Sequence, residues 1–310
     1  MPEKPIIQNR PSPETDTNLT AMLNIVADGW VLLLLRELYM GATSWSEFVE
    51  VLDISPAILN KRLKLLIEAK CLKKSTVSGK RETKYLLTPA GKALFTFIAA
   101  AREWQLRWDT RAGAYVSPFV HKCGAPLRTY PACKSCQAPL KTSDVKFSPN
   151  APAIPRIEDS RHFRLSRTTG ADRRSPNATT AKIIQILGDR RATQLISALS
   201  DGPLKFDEVA KASGLHPAIV TERLRKLQLL GLCQQRLYQE RPDRFLYSLT
   251  ASAQDLFEVA AYLRQWANEW LPSSSASDTG THLLCGSALH VELRCQSCHE
   301  PVLFETITRI

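Results

Sequence analysis

This chain of 310 residues lacks any apolar run long enough for a membrane helix: stretches such as Trp30 to Leu35 fall far short of the roughly 20 residues a bilayer requires. Its first residues, MPEKPIIQNRPSPETDTN, hold no apolar core of a secretory signal, so we expect a reducing, cytoplasmic setting. Glycine is sparse, 13 residues scattered through loops, and no phosphate-cradling loop, nucleophile elbow or metalloprotease helix motif occurs. The 6 histidines fall in a polar linker, at one helix start or beside cysteines, which leaves little for general acid/base work, and we expect no enzyme. Acidic residues are also short, 30 Asp plus Glu against 41 Lys plus Arg, for a net charge of +11. On a chain that is 44% hydrophobic, this surplus describes a folded protein that favours phosphate-bearing partners. The length allows about two domains at roughly 100–200 residues each.

What the chain does have is an internal duplication. Residues 41–66 align with 202–227 at an offset of 161, matching Gly41 with Gly202, Pro56 with Pro217 and Arg62 with Arg223. Beyond a hairpin loop the offset is 162: Trp104 matches Trp266, Trp108 matches Trp270, and Cys123, Cys133 and Cys136 match Cys285, Cys295 and Cys298. Each copy reads as helix, short helix, Pro-initiated helix, two strands with a polar turn, and a long final helix. In copy one, an amphipathic helix over 20–39 is interrupted near Asp28-Gly29, and a second spans Ser44 to Leu52 behind a Ser cap. Ser55-Pro56 opens the third, because a hydroxyl satisfies free N–H groups and Pro loses nothing at the first helical position. We expect Ile58, Leu59, Leu63, Leu65 and Leu66 to point inward. Segments Cys71 to Val77 and Thr83 to Leu87 are strand-like, joined by Ser78-Gly79-Lys80-Arg81, and the last helix runs from about 88 to 110.

The fold class implied is mainly α with small β-hairpins (α+β). The divisions are an arm at 1–17, winged helix domain 1 at 18–112, a Cys/His segment at 113–141, a linker at 142–177, winged helix domain 2 at 178–271 and a second Cys/His segment at 272–310. Three helices followed by a hairpin suit a winged helix-turn-helix, in which the third helix reads the major groove of double-stranded DNA and the wing touches the backbone. The candidate DNA contacts are Ser55, Ala57, Asn60, Lys61 and Lys64 on the first reading helix and His216, Ala218, Thr221 and Arg225 on the second. Lys80, Arg81, Arg241 and Arg244 lie on the wings. Arg62 and Arg223 sit at the helix backs, near phosphate or salt-bridged.

Both copies resemble the HxlR-type winged-helix transcriptional regulators of bacteria. In copy one the resemblance runs through LNIVADGWVLLLLREL, SWSEF, ISPAILNKRLKLLIEAKCL, Tyr85-Leu86-Leu87-Thr88 and the two terminal Trp residues. In copy two it runs through IIQILGDRRATQLISAL, KFDEV, LHPAIVTERLRKLQLLGLC and Tyr247-Ser248-Leu249-Thr250. It implies a DNA-binding regulator that works as a dimer through its first and last helices. The family's usual Trp, Trp30 here, is Arg191 in copy two, and the often basic position after the helix-opening Pro is Ala57 or Ala218. The Cys that many members carry before the first helix is absent. Copy two has a wing of mixed charge, so copy one is expected to contribute more affinity. Two arrangements stay open: the copies form an intramolecular pseudo-dimer, with Trp104 and Trp108 near Trp266 and Trp270, or each chain forms a homodimer with another.

Six of the 8 cysteines fall in two clusters, His121-x-Cys123-x9-Cys133-x2-Cys136 and His282-x2-Cys285-x9-Cys295-x2-Cys298. Each offers four ligands of the kind zinc prefers, and we expect two structural zinc sites, one per cluster, closed by a short hairpin over the nine intervening residues. His290 and His299 are alternative ligands in copy two. A thiol switch, a metal sensor that alters DNA binding, and a polymerase- or protein-docking factor built on winged helix plus zinc ribbon are the competing readings. Cys71 and Cys233 read as buried structural thiols.

Overall fold

The computed structural model describes residues 17–76, 83–109, 117–146, 182–271 and 280–310. The expected arm except for Thr17, the linker over 147–177 and the first wing's tip, with Lys80 and Arg81, lie outside the described residues. In copy one, α1 (Thr17–Val26) and α2 (Gly29–Met40) are separated by Asp28, whose carboxylate caps α2 by accepting from the Trp30 and Val31 N–H groups at 3.0 and 3.2 Å. The interruption expected there is therefore a cap. Helix α2 is not amphipathic as expected: nearly all of GWVLLLLREL is buried, because α2 packs among α1, α3, α4 and α6 and runs through the middle of its copy.

Helix α3 (Trp45–Leu52) opens with a reciprocal Ser44–Glu47 cap, and α4 (Pro56–Glu68) with Ser55 and a Pro at its first turn. Leu59, Leu63 and Leu66 bury one stripe of α4 at helical spacing. Ile58, expected inward, is exposed, and Leu65 is half-buried, since each lies one residue, or about 100°, round from the stripe. Strands β1 (Leu72–Thr76) and β2 (Thr83–Leu87) pair antiparallel.

The last helix is two helices, α5 (Pro89–Ala93) and α6 (Phe95–Trp108), with a turn at Leu94. The Ala90 carbonyl accepts the Trp266 indole N–H from the other copy at 2.8 Å, and its own helical partner, the Leu94 N–H, stands off at 3.4 Å. An outside donor competes for the carbonyl and loosens the ladder. Copy two breaks at the equivalent place, and there the Ser252 carbonyl accepts the Trp104 indole N–H at 2.8 Å.

Copy two contains α7 (Lys182–Leu187), α8 (Arg190–Ala198), β6 (Leu204–Lys205), α9 (Phe206–Ser213), α10 (Pro217–Leu229), β7 (Cys233–Gln239), β8 (Arg244–Leu249), α11 (Ala251–Gln254) and α12 (Leu256–Trp270). Its hairpin gains a third strand, β6, beside β8; copy one has a single bridge, Ser44 to Lys84, at the same place.

The copies meet through their first and last helices. Helix α6 packs on α12, α1 on α12 and α7 on α6, so each copy's first helix lies on the other's last. Trp104 and Trp266 are buried at this seam with the two reciprocal indole bonds described above, while Trp270 reaches its rim, exposed. The Ile183 N–H donates to Gln105 Oε1 at 2.8 Å, and Arg107 reaches Asp255 and Glu258. Asp28 and Asp189, the caps of α2 and α8, form an antiparallel bridge between the copies, where Gly188 has no room for a Cβ: one would stand 2.9 Å from the Gly29 nitrogen. The buried residues of both copies form one continuous core.

The Cys/His segments are built the same way. Strands β3 (Phe119–His121), β4 (Thr129–Cys133) and β5 (Val145–Lys146) of copy one pair antiparallel with β11 (Ile307–Arg309), β10 (Val291–Cys295) and β9 (Thr281–His282) of copy two. The β4–β10 pairing centres on Pro131 opposite Leu293, and Cys133 faces Val291 as Cys295 faces Thr129. Residues 142–146, read from composition as linker, form a 3-10 turn followed by β5. The hairpin expected within each cluster does not form beyond isolated bridges. One such segment is too short to bury its own apolar residues; paired across the copies, Ala132, Cys133, Val291, Leu293 and Cys295 are all buried.

Candidate nucleic-acid interface and metal centres

Ser55, Ala57, Asn60, Lys61 and Lys64 are all exposed along one side of α4, as are His216, Ala218, Thr221 and Arg225 on α10. Two of these side chains serve as caps: Ser55 Oγ accepts from the Ile58 N–H at 3.4 Å and His216 Nδ1 from the Ala218 N–H at 3.3 Å. Asn60 is held by Trp45, whose indole N–H donates to Asn60 Oδ1 at 3.0 Å, leaving the amide nitrogen free to face outward as a donor. Thr221 instead turns its hydroxyl back onto the Pro217 carbonyl at 3.1 Å. Lys64 makes a loose, solvent-exposed pair with Glu68 at 3.7 Å. Arg241 and Arg244 are exposed at the second wing, joined there by Arg236 on β7; Lys73 and Lys74 are exposed on β1.

Of the two roles open to Arg62 and Arg223, the structure selects the ion pair. Arg62 meets Asp28 at 2.5 Å, and Arg223 meets Asp189 at 3.1 Å with Lys226 on the same carboxylate at 2.7 Å. Burial raises the Asp189 pKa, but Lys226 and Arg223 outweigh it and hold the carboxyl below its usual range. Since Asp28 and Asp189 bridge, a line of contacts runs from α4 through the seam to α10. Trp45 was missed as a positioning residue because its partner lies 15 positions away in sequence, and no local spacing signals such a pair. Arg236, Lys73 and Lys74 are basic residues on strands, a signal the sequence did carry.

All eight expected metal ligands converge, but in different sets from those expected. One group is His121, Cys123, Cys295 and Cys298; the other is Cys133, Cys136, His282 and Cys285; in each, the donor atoms lie within 4.8 Å of one another. Each group therefore joins the His and first Cys of one copy to the Cys-x2-Cys turn of the other, because the β4–β10 register carries each turn across. His121 Nδ1 stands 3.4 Å from Cys123 Sγ and 3.3 Å from Cys298 Sγ, with Cys123 to Cys295 at 4.0 Å. In the other group His282 Nδ1 lies 3.2 Å from Cys285 and 3.4 Å from Cys136, and Cys133 to Cys285 is 3.9 Å. A tetrahedral zinc with Zn–S near 2.3 Å has sulfur–sulfur edges of about 3.8 Å, so both groups have the dimensions of a zinc cage.

His121 Nε2 faces the Pro301 carbonyl at 3.4 Å, which suits the tautomer with Nδ1 free to ligate, and His282 Nε2 is buried. The Ala125 N–H and His121 draw Cys123 down to about 7, and the Ser287 N–H and His282 draw Cys285 to about 6. His290 bonds the Ala288 carbonyl and His299 the Tyr130 hydroxyl, so neither alternative joins a group. Cys71 and Cys233 are buried apart from both, their thiols pushed up by burial to about 12 and about 11.

Comparison with known proteins yields an HxlR-like helix-turn-helix model that matches twice, over residues 25–112 and 186–275. An uncharacterised HTH-type transcriptional regulator of Mycobacterium tuberculosis is 28% identical over 131 residues, 42% of this chain and 83% of that protein. YvaP of Bacillus subtilis, described in the same terms, is 31% identical over 94 residues, 30% of this chain and 87% of its own. Among solved structures, the reduced form of the transcriptional regulator YodB from B. subtilis shares 25% identity over 29% of this chain and 90% of that one, with a TM-score of 0.27. The two family matches together span more than half of the sequence, one on each copy, and the chain belongs to the HxlR-like helix-turn-helix family.

Proposed function

We propose that this protein is a DNA-binding transcriptional regulator whose two winged helix units, 18–112 and 178–271, act together as an intramolecular pseudo-dimer. The observation that carries this reading is the seam: each copy's first helix lies on the other copy's last, with reciprocal Trp104 and Trp266 bonds, so one chain supplies the dimer that the resemblance implies. Asn60, Lys61 and Lys64 on α4 and Thr221 and Arg225 on α10 are the groove-facing residues, Ala57 and Ala218 offer apolar contact, and Ser55 and His216 shape the helix starts. The wings, with Lys80, Arg81, Arg241 and Arg244, neutralise phosphates. Because α4 and α10 present different side chains, the operator is asymmetric.

The Cys/His groups hold two structural zinc ions. Four protein ligands leave no open coordination position, and we assign the chain no catalytic activity. No described helix is long and apolar enough to cross a membrane. The test is selection of bound fragments from randomised duplex DNA by the zinc-loaded protein at moderate salt. Enrichment of a two-part asymmetric motif, with affinity falling steeply as salt rises, is expected. Absence of any enriched motif overturns the operator reading in favour of a protein-docking role.

A further inference from the structure

We propose that the two metal ions are staples between the copies, so that zinc loading fixes the relation of the two reading helices and gates binding to paired half-sites. This rests on the zinc reading of the Cys/His groups and adds to it which residues share an ion. Every ion takes two donors from each copy: His121 and Cys123 with Cys295 and Cys298, and His282 and Cys285 with Cys133 and Cys136. An ion held in this way cannot fold one copy's segment by itself; its binding energy goes into the junction. The two sets are exchanged by the same pseudo-two-fold relation that exchanges Trp104 with Trp266. A Cys3His cage is thiolate-rich, which selects zinc or another thiophilic divalent ion over magnesium or calcium.

The junction is wired to the helices of the seam. On α6, Arg102 donates to the Leu127 carbonyl at 3.3 Å, and Glu103 holds both Arg128, at 2.6 Å, and the Thr129 N–H at 3.3 Å. On α12, the Tyr262 hydroxyl donates to the Glu292 carbonyl at 3.1 Å and Gln265 Oε1 accepts from the Val291 N–H at 2.8 Å. These contacts tie β4 and β10, which end at the ligands Cys133 and Cys295, to the two helices that set how the copies sit together. Releasing the ions loosens this end of the seam and leaves each reading helix packed on its own copy.

The test begins with the zinc-loaded full chain, partly stripped with a chelator, alkylated and fragmented intact. Molecules that have lost one ion should carry three labels together on Cys123, Cys295 and Cys298, or together on Cys133, Cys136 and Cys285. Labels grouped as Cys123, Cys133 and Cys136 overturn the staple and leave the zinc reading standing, while a chain purified with no zinc removes the zinc reading itself. Paired variants ask the same question by metal content: Cys123→Ser with Cys298→Ser should retain one ion, and Cys123→Ser with Cys133→Ser none. The reverse result overturns the proposal.

For the gating step, zinc-free protein should bind a duplex carrying both selected half-sites at least about tenfold more weakly, with single half-site binding unchanged, since a loosened seam no longer fixes the relation of α4 and α10 and lowers the effective concentration of the second copy at its half-site. Equal affinity of zinc-loaded and zinc-free protein for the paired sites overturns it.

Discussion

Copy one and copy two anchor α4 and α10 to the seam by one device and present different chemistry from them. In both, an arginine on the helix back reaches an aspartate cap at the junction: Arg62 to Asp28, Arg223 to Asp189. In both, a tryptophan crosses to a carbonyl of the other copy. The outward faces keep Ala57 and Ala218 in common and a cation at Lys64 and Arg225, and otherwise differ. Copy one offers an amide held in place by Trp45 and two lysines, while copy two offers a hydroxyl committed to its own backbone, a glutamate and an arginine. What stayed alike after duplication is what holds the pair together, and what diverged lies mostly on the outward faces of α4 and α10. On the proposed function, that division is what a single chain needs to recognise an asymmetric site.

The comparison breaks most visibly at the seam. Trp104→Ala and Trp266→Ala each empty a buried indole and leave a carbonyl without its donor, and each should cost about 4 kcal/mol in urea unfolding. Similar losses are expected, since each indole donates to a carbonyl of the other copy, with the larger one at Trp104, where Lys182 Nζ lies 5.4 Å from the ring centroid. A loss confined to one would mean that only one copy depends on the junction.

The aspartate caps should respond unequally. Arg62→Ala strips Asp28 of its ion-pair partner in a nearly buried site and should cost about 3 kcal/mol. Arg223→Ala leaves Lys226 on Asp189 and should cost about 1–2 kcal/mol. The sign of the pH effect follows from the depressed Asp189 pKa: the stability this carboxylate contributes is present above its unfolded value near 4 and is lost as pH falls through the lower folded value. Lys226→Met should therefore shrink the loss of stability on acidification, measured by urea midpoints from pH 6 to 3.

How much of this was legible in the sequence follows from the range of each interaction. The caps at Ser44 and Ser55 are local, set by residues within four positions, and they could be read. The duplication could also be read, and so could the eight Cys and His residues that come together, because cysteine spacing is itself a geometric statement. Which of them come together could not, since Cys133 is ten residues from Cys123 along the chain and spacing alone favours that grouping; the strand pairing that decides it lies between copies. The break at Leu94 was hidden for the same reason, its cause being Trp266. Ile58 lies outward because only the stripe through Leu59, Leu63 and Leu66 has the helical phase that faces the core.

On DNA, the copies should separate by base. Asn60→Ala should relax preference at one position of the copy-one half-site by about 1–3 kcal/mol, while Thr221→Ala, removing a hydroxyl already bonded to Pro217, should change preference far less. Binding to a panel of singly substituted operators distinguishes the two, and a larger effect at Thr221 would contradict the division of labour between the copies.

The finest test converts one copy toward the other. Copy two has Phe206 where copy one has Trp45, and a phenyl ring has no N–H to hold an amide. Trp45→Phe keeps most of the packing on the half-buried side of α3 and removes only the bond to Asn60 Oδ1, so stability should hold while Asn60 regains its rotamer freedom. Ordering it on binding would then weaken affinity by about 0.5–1.5 kcal/mol, roughly twofold to thirteenfold, at the position Asn60 reads and nowhere else. If Trp45→Phe instead weakens every operator variant alike, the indole contacts the DNA backbone itself, and the asymmetry between the copies lies in phosphate contact, with Asn60 no longer its source.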